Sequence, residues 1–345
     1  MTDRTQQELV QIRTPTYRRP EALARALRSI QAQTWTNWVC DVFDDDPNGS
    51  AEAVCRDLGD ARIVYHKNPK QRFASMNIDQ CFSRDNPHGA EYFCVVEDDN
   101  FIFDTFLEAN IAVCKSQGVD IVLRNQLVEH ASGTDAAYLG KKGVLDALFT
   151  GGLYDPLTFR TSLLMGIGVS NGGLFWSRHA RSELEIQYDC TATLQEYLRT
   201  FSIREPIYVA MEPLAVWAEN AEQTTRNAGL NTSYLRRELD LKRNIQRLRR
   251  AVWDELPAGA RETFLDIDRF VSPPATRADG LVRSLIWHRG AWPLSPMQAA
   301  RTALRSGLVA ALGRSDATLG DFIASRRRTP SVRPAGTDRQ PRGAA

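Results

Sequence analysis

The sequence predicts an α/β protein with a mostly parallel sheet flanked by helices and a helical C-terminal region. Short apolar runs alternate with segments of helical periodicity, which is typical of βαβ crossovers. Polar clusters follow three of the predicted strands, and strand ends of such sheets bind ligands. The charge also changes along the chain. Residues 1–225 carry 21 Lys and Arg against 31 Asp and Glu, whereas residues 226–345 carry 22 against 11.

The predicted elements follow one another in a regular order. Apolar runs predict strands over residues 9–13, 38–43, 61–66, 91–96 and 119–124, and one or two further strands over 206–217. Between them, helices are predicted over 20–33, 51–58, 72–82 and 104–117. The first of these helices has Pro20 in its first turn and one apolar face, formed by Leu23, Ala26, Leu27 and Ile30. Residues 130–173 are rich in glycine without clear periodicity, so we expect loops there.

Three regions follow from these patterns. Residues 1–225 are predicted to form the α/β domain, and residues 226–325 an Arg-rich helical region. A long helix is expected from Asn231, with an apolar stripe of Leu235, Leu241, Ile245, Leu248 and Val252. Residues 326–345 have little apolar content and are predicted to be a disordered tail.

Cysteine usage and hydropathy indicate a cytoplasmic protein. The six cysteines are scattered and form no CxxC pair, which fits a reducing compartment. The opening MTDRTQQELVQ has no apolar core of the kind found in signal peptides. No stretch approaches the roughly 18 apolar residues of a membrane span. No nucleic-acid-binding module is recognisable, so no nucleic-acid partner is expected.

The segment VVEDDNF, residues 95–101, places three carboxylates directly after an apolar run. In extended backbone Glu97 and Asp99 point the same way, and Asp98 points to the other side. Two hard carboxylate oxygens at a sheet edge suit Mg²⁺ or Mn²⁺, which typically completes its shell with water and substrate phosphates. The alternative is a solvated turn in which Asp104 caps the next helix. Because the polar clusters at 14–19 and 44–50 converge on the same edge, the metal site is favoured.

Other phosphate-binding and hydrolytic signatures are absent from the sequence. No GxGxxG follows the first strand, and no GxxxxGK[ST] occurs, which disfavours a dinucleotide fold and a P-loop. No GxSxG occurs, and the five histidines lie in no context typical of a Ser-His-Asp hydrolase.

Several motifs in order carry a family resemblance. The stretch VQIRTPTYRRPEALARALRSIQAQTWTNWVCDVFDDDPNGS resembles the opening of family 2 glycosyltransferases of the GT-A fold. It continues with RIVYHKN, QRFASMN and VVEDDN, the last at the place of the family's D-x-D metal motif. The likeness covers residues 9–125 well and 165–225 loosely, and it is nearest to bacterial enzymes of the spore-coat polysaccharide type.

The resemblance implies roles for individual residues. Asp99 would bind the metal, and Glu97 is a second candidate ligand. The nucleotide would be held at the strand ends by Pro15, Thr16, Tyr17, Asp45, Arg72 and Asp98. Among these, Asp45 would hold the base edge. Arg72 would counter the diphosphate, with a solvated helix start as the alternative, and Asp98 would face the ribose or support the metal ligands from behind. The segment SNGGLFWSR, residues 170–178, resembles the family's acceptor-side glycine segment, with a plain loop as the alternative.

The catalytic base departs from the family pattern. Inverting enzymes need a carboxylate that takes the proton of the acceptor hydroxyl. The family often has Glu-Asp several residues before an aromatic-x-Arg segment, and that place holds Ala192 and Thr193 here. The nearest carboxylates are Asp189 and Glu196, and both are candidate bases. The alternatives are a helix cap for Asp189 and a solvated helix face for Glu196.

The resemblance therefore implies an inverting, Mn²⁺- or Mg²⁺-dependent glycosyltransferase. Its donor would be a UDP or dTDP sugar, and its acceptor a carbohydrate, lipid-linked or small-molecule hydroxyl. Two alternatives stay open at this point: a nucleotidyltransferase, and a sugar-nucleotide-binding protein without turnover. The missing Glu-Asp pair favours the latter, and the retained EDDN opposes it.

The Arg-rich region allows two interpretations. It is either a helical cap that contributes to the acceptor side or to a homodimer, or a peripheral contact with the anionic inner face of the membrane. The segment LVRSLIWHRGAWPL, residues 281–294, mixes Trp, aliphatic residues and Arg as interfacial segments do. Buried packing explains the same residues and is the favoured interpretation.

Overall fold

The computed structural model describes residues 8–220, 232–288 and 292–328. The strands of these ranges are β1 Val10–Thr16, β2 Trp38–Asp44, β3 Ile63–Lys67, β4 Tyr92–Val95, β5 Phe101–Ile102, β6 Ile121–Ser132, β7 Tyr138–Gly143, β8 Gly152–Tyr154, β9 Leu174–Ser177 and β10 Ile207–Asn220. The helices are α1 Pro20–Gln31, α2 Glu52–Leu58, α3 Phe73–Asp79, α4 Phe106–Gln117, α5 Pro156–Thr161, α6 Ala192–Ser202, α7 Thr232–Glu255, α8 Ala258–Glu262, α9 Pro274–Arg283, α10 Pro296–Leu312 and α11 Ala317–Arg328.

The strands form one sheet in the order β3-β2-β1-β4-β9-β6-β10-β5, with β7 paired to β6 and β8 to β10. The half built from β3, β2, β1 and β4 is parallel, as predicted. Beyond it β9 runs antiparallel to both β4 and β6, while β6 and β10 are parallel. The predicted α/β class, with helices flanking the sheet, is confirmed. The half of the sheet beyond β4 is mixed rather than parallel.

Residues 130–173 differ from the expected loops. They contain the end of β6, all of β7 and β8, and the short helix α5. The local pattern is weak because β7 and β8 lie off the main path of the sheet, and β7 is largely exposed. Asp155 caps α5 by accepting hydrogen bonds from the amides of Leu157 and Thr158, both at 3.0 Å.

Strand alternation divides the core between the two faces of the sheet. In β4, Tyr92 and Cys94 pack into a cluster with α1 and α4, whereas Phe93 and Val95 pack into a cluster with Trp176 and Phe159. The predicted apolar face of α1 is buried in the first cluster. All six cysteines lie in described residues, and each is a free thiol.

The C-terminal helices pack on the α/β domain through α6. Leu248 and Val252 of α7 join Leu198 and Phe201 of α6 and Phe322 of α11 in one cluster. Leu235, predicted for the same stripe, is instead 51% exposed. In the segment 281–294, Leu281 and Ile286 are buried and Trp287 is exposed.

Only some of the predicted region boundaries lie within the residues that the structure describes. The boundary between residues 225 and 226 falls outside the described residues, and so does 329–345 of the predicted tail. Residues 326–328 belong to α11. No helix in the described ranges is long and apolar enough to cross a membrane.

Candidate active site

Three strand ends meet at one edge of the parallel half-sheet. Thr16 at the end of β1 pairs with Asp44 at the end of β2, and Arg13 pairs with Val95 at the end of β4. The pairing of β1 with β2 extends one residue past the end of β2, because the Asp45 amide donates to the Thr16 carbonyl at 3.0 Å. The register therefore brings the three polar clusters seen in the sequence together, as the parallel topology predicts.

Asp98 is the centre of the contacts between β1 and the acidic segment. Its Oδ2 accepts hydrogen bonds from Thr16 Oγ1 at 2.9 Å and from the Tyr17 amide at 3.2 Å. Arg19 Nη1 contacts Asp98 Oδ1 at 3.3 Å and Asp99 Oδ2 at 2.5 Å. Burial raises the pKa of Asp98 to about 6, and repulsion from Asp99 adds to the rise against the opposing effect of Arg19.

Glu97 turns away from Arg19 toward two asparagines. Its Oε2 accepts a hydrogen bond from Asn100 Nδ2 at 2.8 Å, and its Oε1 accepts one from Asn171 Nδ2 at 3.2 Å. Burial raises the pKa of Glu97 to about 7, and the Asp99 carboxylate raises it further. Neutral amides satisfy its hydrogen bonds but do not balance its charge.

Glu196, on α6, lies at the same cluster. Burial raises its pKa to about 8, the nearby Glu97 adds to the rise, and Arg199 and the Asn171 amide oppose it. Asp189, the other candidate base, is exposed in the segment before α6. The helix begins beyond it, and Thr191 rather than Asp189 supplies the cap, accepting a hydrogen bond from the Leu194 amide. The structure thus brings Glu196, and not Asp189, to the carboxylates of the acidic segment.

A buried arginine fixes α6 against this cluster. Arg199 is fully buried and donates from Nη1 to Asn171 Oδ1 at 2.6 Å and from Nη2 to Asp79 Oδ1 at 2.8 Å. Its Nε donates to the Leu184 carbonyl at 2.8 Å, and its guanidinium carbon lies 3.7 Å from the centroid of the Phe82 ring. Asn171 therefore links Glu97 to Arg199 with its two amide atoms.

Asp45 is engaged with the start of α3. Its carboxylate accepts hydrogen bonds from the amides of Arg72 at 2.7 Å and Phe73 at 2.8 Å, and from Asn68 Nδ2 at 2.8 Å. Phe73 has a left-handed φ of 60° and is 68% exposed. The side chain of Arg72 is exposed beside it. Asp45 therefore positions the segment that carries Arg72, and three of its acceptor positions are occupied.

The remaining predicted nucleotide residues lie at the end of β1. Pro15 and Thr16 are buried in the strand, whereas Tyr17 is 41% exposed. The Arg18 guanidinium carbon lies 5.0 Å from the centroid of the Tyr17 ring, and Arg18 Nε pairs with Asp46 at 3.1 Å. An exposed aromatic ring with a cation over it, at a ligand-binding edge, is available for stacking on a base.

The glycine segment SNGG closes the other side of the cluster. A Cβ on Gly173 would stand 2.7 Å from the backbone carbonyl oxygen of Arg124. Only glycine permits this approach, so the segment packs directly on β6. Ser170 Oγ also donates to Gln126 Oε1 on that strand. Asn171 is held in place by these contacts.

The donor set suits a hard divalent cation. Asp98 and Asp99 both contact Arg19, and Glu97 lies near enough to Asp99 for repulsion. Burial and this mutual repulsion raise the pKa values of Glu97 and Asp98, so negative charge is in excess. Within the described residues, no three His, Cys, Asp or Glu side chains are arranged to ligate one ion. Mg²⁺ and Mn²⁺ sites often use one or two protein carboxylates and complete their shell with water or phosphate oxygens, and the Asp98–Asp99 pair is compatible with such a site.

Sequence reasoning overlooked four residues of this site: Arg19, Asp79, Asn100 and Asn171. Asn171 lies within the quoted SNGG segment, and Arg19 within TPTYRRP, so the motifs were found but not these contacts. Arg199 is the arginine of the aromatic-x-Arg segment that marks the place of the missing Glu-Asp pair, and the sequence predicted no further role for it. Its ion pair with Asp79 spans 120 residues, and no local pattern signals such a contact.

Part of the sequence and the fold resemble known proteins. The sequence profile of the family described as "Glycosyl transferase family 2" matches residues 12–139. The crystal structure of S. aureus TarS has a TM-score of 0.53 at 10% identity, covering 88% of this chain and 55% of that one. The structure of TarS 1–349 in complex with UDP-GlcNAc has a TM-score of 0.54 at 10% identity, covering 92% and 90%.

At this identity the likeness to TarS concerns the fold. The chain spans about half the length of full-length TarS, since it covers 55% of it. A search of curated protein sequences found no match.

Proposed function

We propose that the chain is a family 2 glycosyltransferase, since residues 12–139 match that family's profile, and that it is an inverting, metal-assisted enzyme that transfers a sugar from a UDP or dTDP donor to an acceptor hydroxyl. The observation that carries this proposal is that Asn171 joins the two carboxylates: its side chain donates to Glu97 at 3.2 Å, and its backbone amide interacts with Glu196, which also feels the charge of Glu97. A carboxylate base and a cation-attracting cluster are the two groups that inverting transfer requires.

The donor proposal rests on the ends of β1 and β2. Tyr17 offers an exposed ring for the base, and the Asp45-bound segment brings Arg72 to the same edge. Asp98 is held by Thr16 and the Tyr17 amide, and we expect it to face the ribose of the nucleotide. A neighbour of the same fold, TarS 1–349, has been crystallised with UDP-GlcNAc, which supports a uridine nucleotide as the first donor to test.

Asp99, assisted by Glu97, would hold Mg²⁺ or Mn²⁺. When bound, the ion supplies charge neutralisation for the departing nucleoside diphosphate. Arg19 pairs with Asp99 in this structure and would share that carboxylate with the ion. The carboxylates themselves would gain from a cation, because it offsets the repulsion that raises the pKa values of Glu97 and Asp98.

Glu196 is the proposed base. Its carboxylate removes the proton of the acceptor hydroxyl while that oxygen bonds to the anomeric carbon and the bond to the diphosphate breaks. Attack and departure on opposite faces invert the anomeric configuration. A pKa of about 8 makes Glu196 a stronger base than an ordinary carboxylate once it is ionised. Asn171 and Arg199 act as positioning residues, because they fix α6 relative to Glu97.

The alternative of a binding protein without turnover loses its main support. It rested on Ala192 and Thr193 replacing the family's Glu-Asp pair, and Glu196 provides a carboxylate one helical turn further along α6. No feature of the described residues favours nucleotidyl transfer. The acceptor classes remain those of the sequence prediction: a carbohydrate, a lipid-linked hydroxyl or a small-molecule hydroxyl.

A donor-turnover assay tests the proposal. A panel of UDP and dTDP sugars with Mn²⁺ is screened for release of the nucleoside diphosphate, and the product anomer is identified by NMR. We expect Glu196→Gln to lower kcat by about 10²–10⁴-fold with little change in donor binding. The matched control Asp189→Asn removes the same charge from an exposed position and should retain activity. Equal activity of Glu196→Gln and wild type, or loss only in Asp189→Asn, would overturn the assignment of the base.

A further inference from the structure

A groove between α7 and α11 gathers four arginines on the side of α7 away from the core. Arg243, Arg247 and Arg250 recur at intervals of three to four residues, so they share one face of the helix. Arg327 of α11 completes the set. The opposite face of α7 is packed against α6 through Leu248 and Val252. The groove is thus a separate feature from the carboxylate site.

The lining of the groove is strongly cationic. Asp254 is the one acidic residue among those that line it. The nearby Glu255 is already shared by Arg160, Arg204 and Arg327. Asp316 adds a negative charge near Arg247, because the hydrogen bond that it accepts from Tyr188 at 2.8 Å comes from a neutral group. Four arginines thus face Asp254, Asp316 and the shared Glu255. Acidic side chains therefore leave a surplus of positive charge, which an anion would balance.

Two of the arginines also hold the helices together, and two do not. Arg247 Nη1 donates to the Asp316 carbonyl at 2.9 Å and to Ser315 Oγ, and Arg327 donates to the Ala251 carbonyl at 2.5 Å. Arg243 contacts Gln246 of its own helix at 3.2 Å. The side chain of Arg250 is exposed and has no hydrogen bond or ion pair with the described residues. Arg243 and Arg250 are therefore available to a ligand.

The groove has room for an organic phosphate. Its volume is about 410 Å³, many times the roughly 30 Å³ that one water occupies in the liquid. Gly320 keeps one wall open, because a Cβ there would stand 3.2 Å from Arg247 Nη2. An arginine guanidinium group can donate two parallel hydrogen bonds to two oxygens of one phosphate group. Only short apolar side chains and Ile323 accompany the charges, which suits a soluble ligand better than an acyl chain.

We propose that the groove formed by Arg243, Arg247, Arg250 and Arg327 is a binding site for a phosphate-bearing compound, distinct from the nucleotide site. Two kinds of ligand could present this phosphate group, a soluble organic phosphate and a phospholipid headgroup. The concave shape and scarce apolar lining favour the soluble source. The proposal does not depend on the glycosyl transfer proposed above.

Calorimetric titration with inorganic pyrophosphate in the presence of a chelator tests this site. The double variant Arg243→Gln/Arg250→Gln removes two charges without touching the contacts that join α7 to α11. The control Arg28→Gln/Arg56→Gln removes two charges from exposed positions on α1 and α2. We expect the groove variant to bind pyrophosphate at least about tenfold more weakly than wild type, and the control to bind like wild type. UDP binding with Mn²⁺ should be equal in all three.

A second arm separates the two sources. Sedimentation with vesicles of phosphatidylcholine, with and without phosphatidylglycerol, is measured for the same proteins. Pyrophosphate binding without vesicle binding supports the soluble source. Vesicle binding that pyrophosphate displaces and the groove variant loses supports a lipid headgroup at the same site. Pyrophosphate affinity that is unchanged in the groove variant, or that falls as much in the control, would overturn the proposal.

Discussion

Arg199 donates to Asn171 Oδ1 at 2.6 Å, while Asn171 Nδ2 donates to Glu97 at 3.2 Å. One asparagine thus connects the helix that carries the proposed base to the segment that carries the proposed metal ligands. This arrangement makes the position of α6 a direct determinant of the site.

Replacing Asn171 tests this connection. In Asn171→Ala both hydrogen bonds are lost and Arg199 Nη1 is left without its partner, so α6 and Glu97 lose their shared contact. We expect kcat to fall by about tenfold or more while the dissociation constant of UDP stays close to that of wild type. The control Asn86→Ala removes an amide that bonds only within the turn before β4. A loss of UDP affinity with unchanged kcat would contradict the positioning role.

The glycine segment offers a second test. Gly173→Ala places a methyl group 2.7 Å from the Arg124 carbonyl oxygen, so either SNGG or β6 must move. We expect a loss of about 1–3 kcal/mol in the free energy of unfolding, measured by urea denaturation, together with lower activity. Gly259→Ala in α8, where an added Cβ meets nothing within 4 Å, is the matched control and should not destabilise the protein. Equal stability of the two variants would contradict the close packing.

A third prediction concerns the pH dependence of stability. The hydrogen bond from Arg62 lowers the pKa of Asp60 from 3.8 to about 2. Because the folded value is below the unfolded one, this carboxylate stabilises the fold above pH 3.8 and the contribution is lost as pH falls toward 2. At pH 7 we expect Asp60→Asn to be about 1–2 kcal/mol less stable than wild type, after discounting for the partly exposed Arg62.

Urea denaturation at lower pH tests the direction in which the contribution of Asp60 to stability changes with pH. The difference between Asp60→Asn and wild type should narrow as pH falls from about 4 to about 3. Asp57 forms an ion pair with Arg56 in which both side chains are exposed, so Asp57→Asn should change stability little at any pH. A difference that widens with acid would contradict the prediction.

The parallel half of the fold could be predicted because its signals are local. Each of β1, β2 and β4 is an apolar run that ends in a polar cluster, and parallel pairing sends those ends to one edge. The strands β5 and β9 were missed because they are two and four residues long and owe their place to partners far along the chain. Their antiparallel pairing makes the far half of the sheet mixed.

The candidate site also has parts that local sequence motifs predict and parts that depend on distant contacts. The acidic segment, the PTY turn and the glycine segment are contiguous motifs, and sequence analysis found each of them. The choice between Asp189 and Glu196 was open because it depends on the rotation of α6, which is fixed by the contacts of Arg199 with Asp79 and Asn171. Those partners lie 120 and 28 residues away in sequence. Local periodicity carries no information about them.

The most direct test of the central claim is the affinity for UDP with Mn²⁺ or with chelator, measured by calorimetry on wild type and Asp99→Asn. We expect wild type to lose at least about tenfold in affinity when the metal is removed, and Asp99→Asn to bind weakly under both conditions. Affinity in wild type that is the same with Mn²⁺ and with chelator, and that is unchanged in Asp99→Asn, would contradict a cation held between the acidic segment and the diphosphate.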